Sequence, residues 1–366
     1  MSIHEQVAPV GAGRATVDGE KLMQFVFRAV GEVGSVLNGA LVVMGDRLGY
    51  YRALAEHGPS TPAELAERTQ TGEKYAREWL NAQAAGGYVT YEPETASYSL
   101  PLEHAVALTD ETSPAFVPGL FQLAHGTVVD AARIIELARS GDGMGWHEHG
   151  SDVHEGCERF FRPGYLANLV ESWLPALGGV VDKLRAGGRV ADIGCGFGAS
   201  TILMAQAFPR STFVGSDYHD PSVRTARDRA AAAGVPDRAT FETAPATAFS
   251  GQGYDLVTTF DALHDMGDPV GAARHVFSAL ADDGVWMIVE PAAGDRVEDN
   301  LNAVGRVYYG FSTLLCTPAS LSQAVGLGLG TQAGPARMRD VAVAAGFRSF
   351  RIAASTPFNN VFEVRK

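Results

Sequence analysis

The 366-residue sequence predicts an α/β protein, a doubly wound parallel sheet preceded by a mainly helical, winged-helix-like unit. Three observations carry that prediction. From about Leu184 onward, strand-like runs alternate with helical ones, which is the grammar of βαβ units. The first of those strands runs into a glycine turn, Gly194-Cys195-Gly196-Phe197-Gly198. Between Thr61 and Leu100, two helical segments lead into two short extended ones.

Composition bounds the function. The chain carries 29 Lys+Arg against 42 Asp+Glu, a formal net charge of −13. Non-specific affinity for nucleic acid comes from Lys and Arg on phosphate, and attraction to an anionic membrane surface needs the same residues. Neither partner is expected. Cys157, Cys195 and Cys316 are too few and too scattered for a disulfide framework, so a reduced, cytoplasmic setting is expected. Residues 1–20 read as a tail without a basic-then-apolar signal. The most apolar stretch, Ala29–Gly45, holds Glu32 and Asn38 and reads as too short to cross a bilayer.

Residues 21–110 form the first expected domain. Leu22 to His57 hold two amphipathic stretches, with Leu37, Leu41, Met44 and Leu48 three or four apart. Thr61 is an N-cap, Pro62 the first helical residue and Glu64 the partner of a capping box. A second helix, from about Glu73, stops at Gly86-Gly87, and two strands follow around Glu92-Pro93-Glu94. Helix, turn, helix and wing suggest DNA reading. The helix holds Glu73 and Glu78 against Lys74 and Arg77, however, and the wing tip adds two glutamates. A dimerisation or lid role fits those charges better.

Residues 111–175 read as a helical connector and substrate lid, interrupted by a loop with His147, His149, His154 and Cys157. Their spacing matches no zinc pattern. The loop is either solvated or the rim of a pocket.

Residues 176–366 form the last domain. The strands are RVADIG, TFVGSD, ATFETA, YDLVTTF and VWMIVEP, with helices between. An insertion from Asp295 to Ala336, a helix and a final strand pair complete it. In a doubly wound sheet the turn after the first strand lies at the carboxyl edge, where ligands collect. Its glycines let a ligand approach the backbone. Asp217 ends the second strand, where an acid accepts both hydroxyls of a ribose. A dinucleotide site prefers G-x-G-x-x-G. Here the spacing is G-x-G-x-G with Asp192 just before it, and an acid there repels a pyrophosphate. It suits a ligand bearing ammonium and sulfonium cations. S-adenosylmethionine (SAM) is such a ligand.

The segments VADIGCGFGAST, TFVGSDYH, GYDLVTTFDALHDMGDP and WMIVEP, in that order, resemble the motifs of class I SAM-dependent methyltransferases. With its winged front half, the whole chain is similar to dimeric small-molecule O-methyltransferases of actinobacterial type. The resemblance implies a Rossmann-like sheet whose last strand inserts antiparallel, a homodimer, and a SAM site at Gly194, Cys195, Gly196 and Asp217, with Tyr218 near the adenine. The family's acid at the end of the third strand is missing. Thr243-Ala244-Pro245-Ala246 stands there, so Phe249 and backbone near Ala246 are expected to hold the adenine. The family's SAM-side lysine falls on Phe260 and its second glutamate on Gln332.

Methyl transfer to a hydroxyl needs alignment and a base for the leaving proton. Histidine suits, because it titrates near neutral pH. His264 lies where the resembling O-methyltransferases carry the histidine of their LHDW motif, and Glu290 falls on their orienting glutamate. Met266 replaces the motif's tryptophan. The insertion is expected to cap a pocket lined by Met266, Tyr308, Tyr309 and Phe311. Cys195 and Cys316 read as small buried residues. The expected function is O-methylation of a small hydroxylated, aromatic metabolite. An N- or C-methyltransferase that only positions its substrate, or a SAM-binding regulator, are the alternatives.

Overall fold

The structure, a computed structural model, describes residues 16–366. Most of the expected tail lies outside them. The first unit comprises α1 (Gly19–Arg47), α2 (Tyr50–His57), α3 (Pro62–Thr69), α4 (Glu73–Ala85), β1 (Thr90–Glu92), β2 (Ser97–Ser99) and α5 (Leu102–Thr109). The Asp18 carboxylate caps α1 by accepting from the Glu20 and Lys21 N–H groups. The capping box of Thr61 and Glu64 opens α3 as expected. Trp79 anchors the core: Tyr50 and Tyr51 meet its ring edge-on at 4.8 and 5.0 Å, and its indole N–H donates to Leu41 O at 2.8 Å. Glu73, Lys74, Arg77 and Glu78 all face outward on α4.

The reading of Ala29–Gly45 as too short for a bilayer needs correction. At 29 residues, α1 is long and apolar enough to cross a membrane by length and composition. Its C-terminal part belongs to the winged unit instead, with Val42 and Val43 buried and Asn38 bonded to Gln83. Its N-terminal part exposes Phe25, Phe27, Val30, Val33, Val36 and Leu37.

The connector folds as α6 (Pro118–Val129), α7 (Ala131–Ser140) and α8 (Ser151–Asn168), the last running into a π turn at Leu169–Trp173. Helices α6 and α8 approach closely at Gly156, where any Cβ would lie 2.3 Å from Leu123 N. That packing fixes α8 across the mouth of the sheet.

The sheet domain adds α9 (Val180–Ala186), β3 (Arg189–Ile193), α10 (Ala199–Ala207), β4 (Thr212–Asp217), α11 (Asp220–Ala232) and β5 (Ala239–Thr243). Then follow β6 (Tyr254–Phe260), α12 (Pro269–Ala279), β7 (Leu280–Pro291), α13 (Ala303–Phe311), α14 (Thr317–Leu321), α15 (Gly334–Ala344), β8 (Ser349–Ser355) and β9 (Asn359–Arg365). The order is β5-β4-β3-β6-β7-β9-β8, with β9 antiparallel to both neighbours and the other pairings parallel. The antiparallel insertion of the last strand is therefore as expected. Order reverses between β3 and β6, which places the ligand crevice at their carboxyl ends. One apolar core lies on each face of the sheet, around Trp173 and Phe213 on one side and Trp286 and Met338 on the other.

Candidate active site

The glycine loop leaves β3 at the switch point. Gly194, Gly196 and Gly198 have φ of +74°, +52° and +79°, a region costly for residues with a Cβ. The N–H groups of Gly194 and Cys195 donate to Ser216 O, tying the loop to β4. Asp217, at the end of β4, accepts from Gly196 N (2.9 Å) and His219 N (2.8 Å). Burial pushes its carboxyl above the usual range, and those N–H groups pull it back.

Asp192 corrects the sequence reading. Its carboxylate is buried and accepts from Ser200 Oγ (2.6 Å), Thr201 Oγ1 (2.5 Å) and Thr258 Oγ1 (2.9 Å). It pins the start of α10 under the loop and lines no cavity.

Above the loop lies a cavity of about 510 Å³. Gly194, Cys195, Gly196, Asp217, Tyr218, Ala246 and Phe260 line it, which is every expected cofactor-side residue except Asp192. Phe249 does not reach it. That ring is buried below, edge-on to His275 at 4.4 Å, so the adenine side is formed by Ala244 to Thr247. Sequence reasoning missed Trp146, Tyr165 and His219. Of the histidine loop, His154 lines the cavity, stacks on His219 at 4.7 Å and is pushed down to about pH 4 by burial and that neighbour. His149 turns away to Asp130 (2.7 Å), so the loop's histidines do not converge on one ligand position.

A second, smaller cavity adjoins the first, and Trp146, Cys157, Phe161, Asp261 and Asp265 line both. His264, Tyr308, Phe311, Leu315 and Cys316 complete its wall. Met266 lies in the larger cavity, while Tyr309 and Gln332 line neither. The expected pocket of the insertion is thus supplied by Tyr308 and Phe311. The exposed turn of α13 carries Tyr309 past it.

His264 sits on a 3-10 turn, Leu263–Asp265, just after β6. Its Nδ1 is 2.5 Å from Glu290 Oε2, and Glu290 Oε1 accepts from Leu263 N at 3.0 Å. The acid therefore fixes both the ring and the turn that bears it. Nε2 faces Asp265 Oδ1 at 3.2 Å, and the other Asp265 oxygen accepts from the Trp146 indole at 2.8 Å. Burial opposes charge on His264, but Glu290 and Asp265 outweigh it and hold the imidazole pKa well above 6.5. Cys316 joins this cluster, its ligand-type atom within 4.8 Å of those of His264 and Asp265. Burial pushes its thiol up to about 12 and that of Cys195 well above 9, so neither is a nucleophile.

Family models match two parts of the chain. Residues 37–110 match an Rv2258c-like winged helix-turn-helix domain, and residues 184–323 match a methyltransferase domain. In sequence order the matches are a winged helix-turn-helix domain followed by a methyltransferase domain. Among curated proteins, the 27-O-demethylrifamycin SV methyltransferase of Amycolatopsis mediterranei is 34% identical over 131 residues, 34% of this chain and 48% of that protein. The chain thus spans about half the length of that relative. Solved structures show the same fold over nearly the whole chain. The mitomycin 7-O-methyltransferase superposes with a TM-score of 0.66 at 19% identity, covering 95% of this chain and all of that one. Human N-acetylserotonin methyltransferase, solved with SAM, gives 0.68 at 15% identity over 97% of this chain and 99% of that one. The methyltransferase domain matched by sequence holds both the glycine loop and His264.

Proposed function

We propose that this protein is a SAM-dependent methyltransferase that methylates an oxygen of a small, hydroxylated, aromatic metabolite, with His264 as the general base. One observation carries the reading: a large nucleoside-type cavity and a small aromatic one meet at Asp261 and Asp265, with a carboxylate-held histidine on the small side.

The residues present fit the donor. Asp217 keeps lone pairs free toward the cavity after accepting from two backbone groups, as a ribose diol requires. Gly194, Cys195 and Gly196 let the ligand lie against the backbone, and Tyr218 and Ala246 bound the adenine end. When bound, SAM supplies a methyl group carried on a sulfonium cation. Glu290 holds His264 Nδ1, and Nε2, which faces Asp265 Oδ1 at 3.2 Å, takes the acceptor's hydroxyl proton once it is deprotonated and turned from that acid to the acceptor. Phe161, Tyr308, Phe311 and Leu315 give the smaller cavity, about 40 Å³, an apolar wall for the edge of a flat acceptor that reaches in from the larger one.

The test is incubation of purified protein with SAM and hydroxylated aromatic compounds, read as a mass gain of one methyl group. His264→Ala should keep SAM binding while turnover falls by roughly 10²–10⁴. Unimpaired turnover would remove the base and favour transfer to carbon or nitrogen by positioning.

The exposed apolar part of α1 supports a homodimer. Lys21 and Arg28 balance Glu20 and Glu32 on this helix, so the net charge of −13 is what disfavours an anionic bilayer as its cover, whereas a second α1 buries the same apolar residues. Light scattering should give twice the 38.7 kDa chain mass, and paired Val30→Glu and Val33→Glu substitutions should halve it. A monomer in the unsubstituted protein refutes this. Three free thiols fit a cytoplasmic setting.

A further inference from the structure

Asp261 is a buried acid at the junction of the two cavities that the reading above leaves without a task. It follows β6 directly and has φ +48°, a left-handed conformation that residues with a Cβ adopt only when their surroundings hold them there. Those surroundings are visible. Its N–H donates to Val289 O at 2.7 Å, tying it to β7. Its Oδ1 accepts from Asn359 Nδ2 on β9 at 2.8 Å, and its Oδ2 faces the Tyr165 hydroxyl on α8 at 3.4 Å. Three elements hold the residue, two of them by its carboxyl group, where the cavities meet.

The charge inventory of that place is one-sided. Glu158, Asp217, Asp261, Asp265 and Asp268 line the larger cavity with His154 and His219, and among the described residues no Lys or Arg lines either one. Other charged or titratable groups facing Asp261 are Glu290 from β7, His264 from the 3-10 turn, Cys157 and Tyr165 from α8, and Tyr308 from α13. His264 is already shared between Glu290 and Asp265. Among the described residues the carboxyl of Asp261 therefore has no cation of its own. Glu158 is paired with Arg229 at 2.7 Å and Asp265 faces His264, but Asp217, Asp261 and Asp268 meet no Lys or Arg among the described residues, and acids so placed suit a cationic ligand.

We infer that Asp261 reads the positive charge of the methyl donor, so that the site prefers the sulfonium cofactor over its neutral thioether product. The inference rests on SAM being the donor. SAM and S-adenosylhomocysteine (SAH) share every other group, so only a residue facing the sulfur region can separate them by charge. Transfer removes the cation, and Asp261 then favours release of the product. Burial and the nearby Glu290 push the Asp261 carboxyl well above the carboxylate range, with His264 opposing. A cation brought beside it favours the ionised carboxylate, whereas a thioether does not. Asp261 is thus a specificity residue for the charge state of the donor.

Calorimetry of SAM and SAH with the full-length protein, in two buffers of different ionisation enthalpy, tests this. The unsubstituted protein should bind SAM more tightly than SAH and release a proton only with SAM. Asp261→Asn should leave SAH affinity within about twofold, weaken SAM by about tenfold or more and abolish the proton release. Asp261→Gly relieves the backbone conformation and guards against misfolding. It should melt no lower than the unsubstituted protein and show the same loss of discrimination. If neither ligand binds the unsubstituted protein, the donor reading fails. If both bind and the SAM to SAH ratio is the same in all three proteins, the role of Asp261 fails while the donor reading stands.

Discussion

Replacing Asp217 by Asn isolates the ribose contact, and its size follows from the geometry. An ionised carboxylate offers about four lone-pair directions on two oxygens. In Asp217 one on Oδ2 is used by Gly196 N at 2.9 Å and one on Oδ1 by His219 N at 2.8 Å. One direction per oxygen remains for a diol. The amide keeps the shape but turns one oxygen into a donor, so one ribose hydrogen bond to a charged acceptor is lost, together with the backbone N–H bond to that oxygen. Such a bond contributes about 1.5–3 kcal/mol, equivalent to a dissociation constant raised roughly 10- to 150-fold. Calorimetry should show this for SAM and SAH alike, because the ribose is common to both. That parallel loss contrasts with Asp261→Asn, which separates the two ligands. A melting temperature within a few degrees of the unsubstituted protein shows that the loop of Gly196 is intact. If SAM and SAH affinities stay within twofold, Asp217 does not hold the diol, and the cavity is occupied in some other way.

The acid limb of turnover should lie above pH 6.5, because Glu290 and Asp265 raise the His264 pKa and a protonated imidazole cannot accept the hydroxyl proton. Activity is then lost as pH falls through that pKa, and Glu290→Gln should move the limb to lower pH; an unmoved limb counts against the pairing. Trp146→Ala removes a ring that lines both cavities and donates to Asp265, so steady-state kinetics should show KM raised for donor and acceptor together. An effect on one substrate alone would contradict the shared wall. Gly198→Ala places a Cβ 2.8 Å from Phe241 at φ +79°. Denaturant melts should show a loss of about 2–5 kcal/mol from the left-handed backbone and overpacking combined; no loss would mean that the loop relaxes freely.

Much of the site was legible because its grammar is local. A strand ending at Ile193, three glycines and a helix start form a continuous run, and Asp217 closes the next strand. His264 and Glu290 each follow from a strand end, and parallel pairing of β6 with β7 brings those ends together. Orientation was not legible. Asp192 was expected to face a ligand, yet it turns inward because Ser200, Thr201 and Thr258 supply three hydroxyls there. Phe249 packs on His275 below the sheet edge, which no spacing along the chain reveals. Trp146 and His154 arrive from the connector, more than a hundred residues before His264. The only signal for them was the histidine-rich loop.

The sequence by itself determined the alternation of strands and helices, the capping and winged pattern of the first unit, the glycine loop and the order of the acidic residues along the sheet. These depend on periodicity, local dihedral preference and hydrogen bonds within a few residues. Only the tertiary structure decided that two cavities share a wall, that Asp261 is held strained at their junction, and that Asp192 is structural. Such facts depend on which side chains from distant segments compete for one buried volume. A buried carboxyl takes its role from whichever donors and cations reach it there.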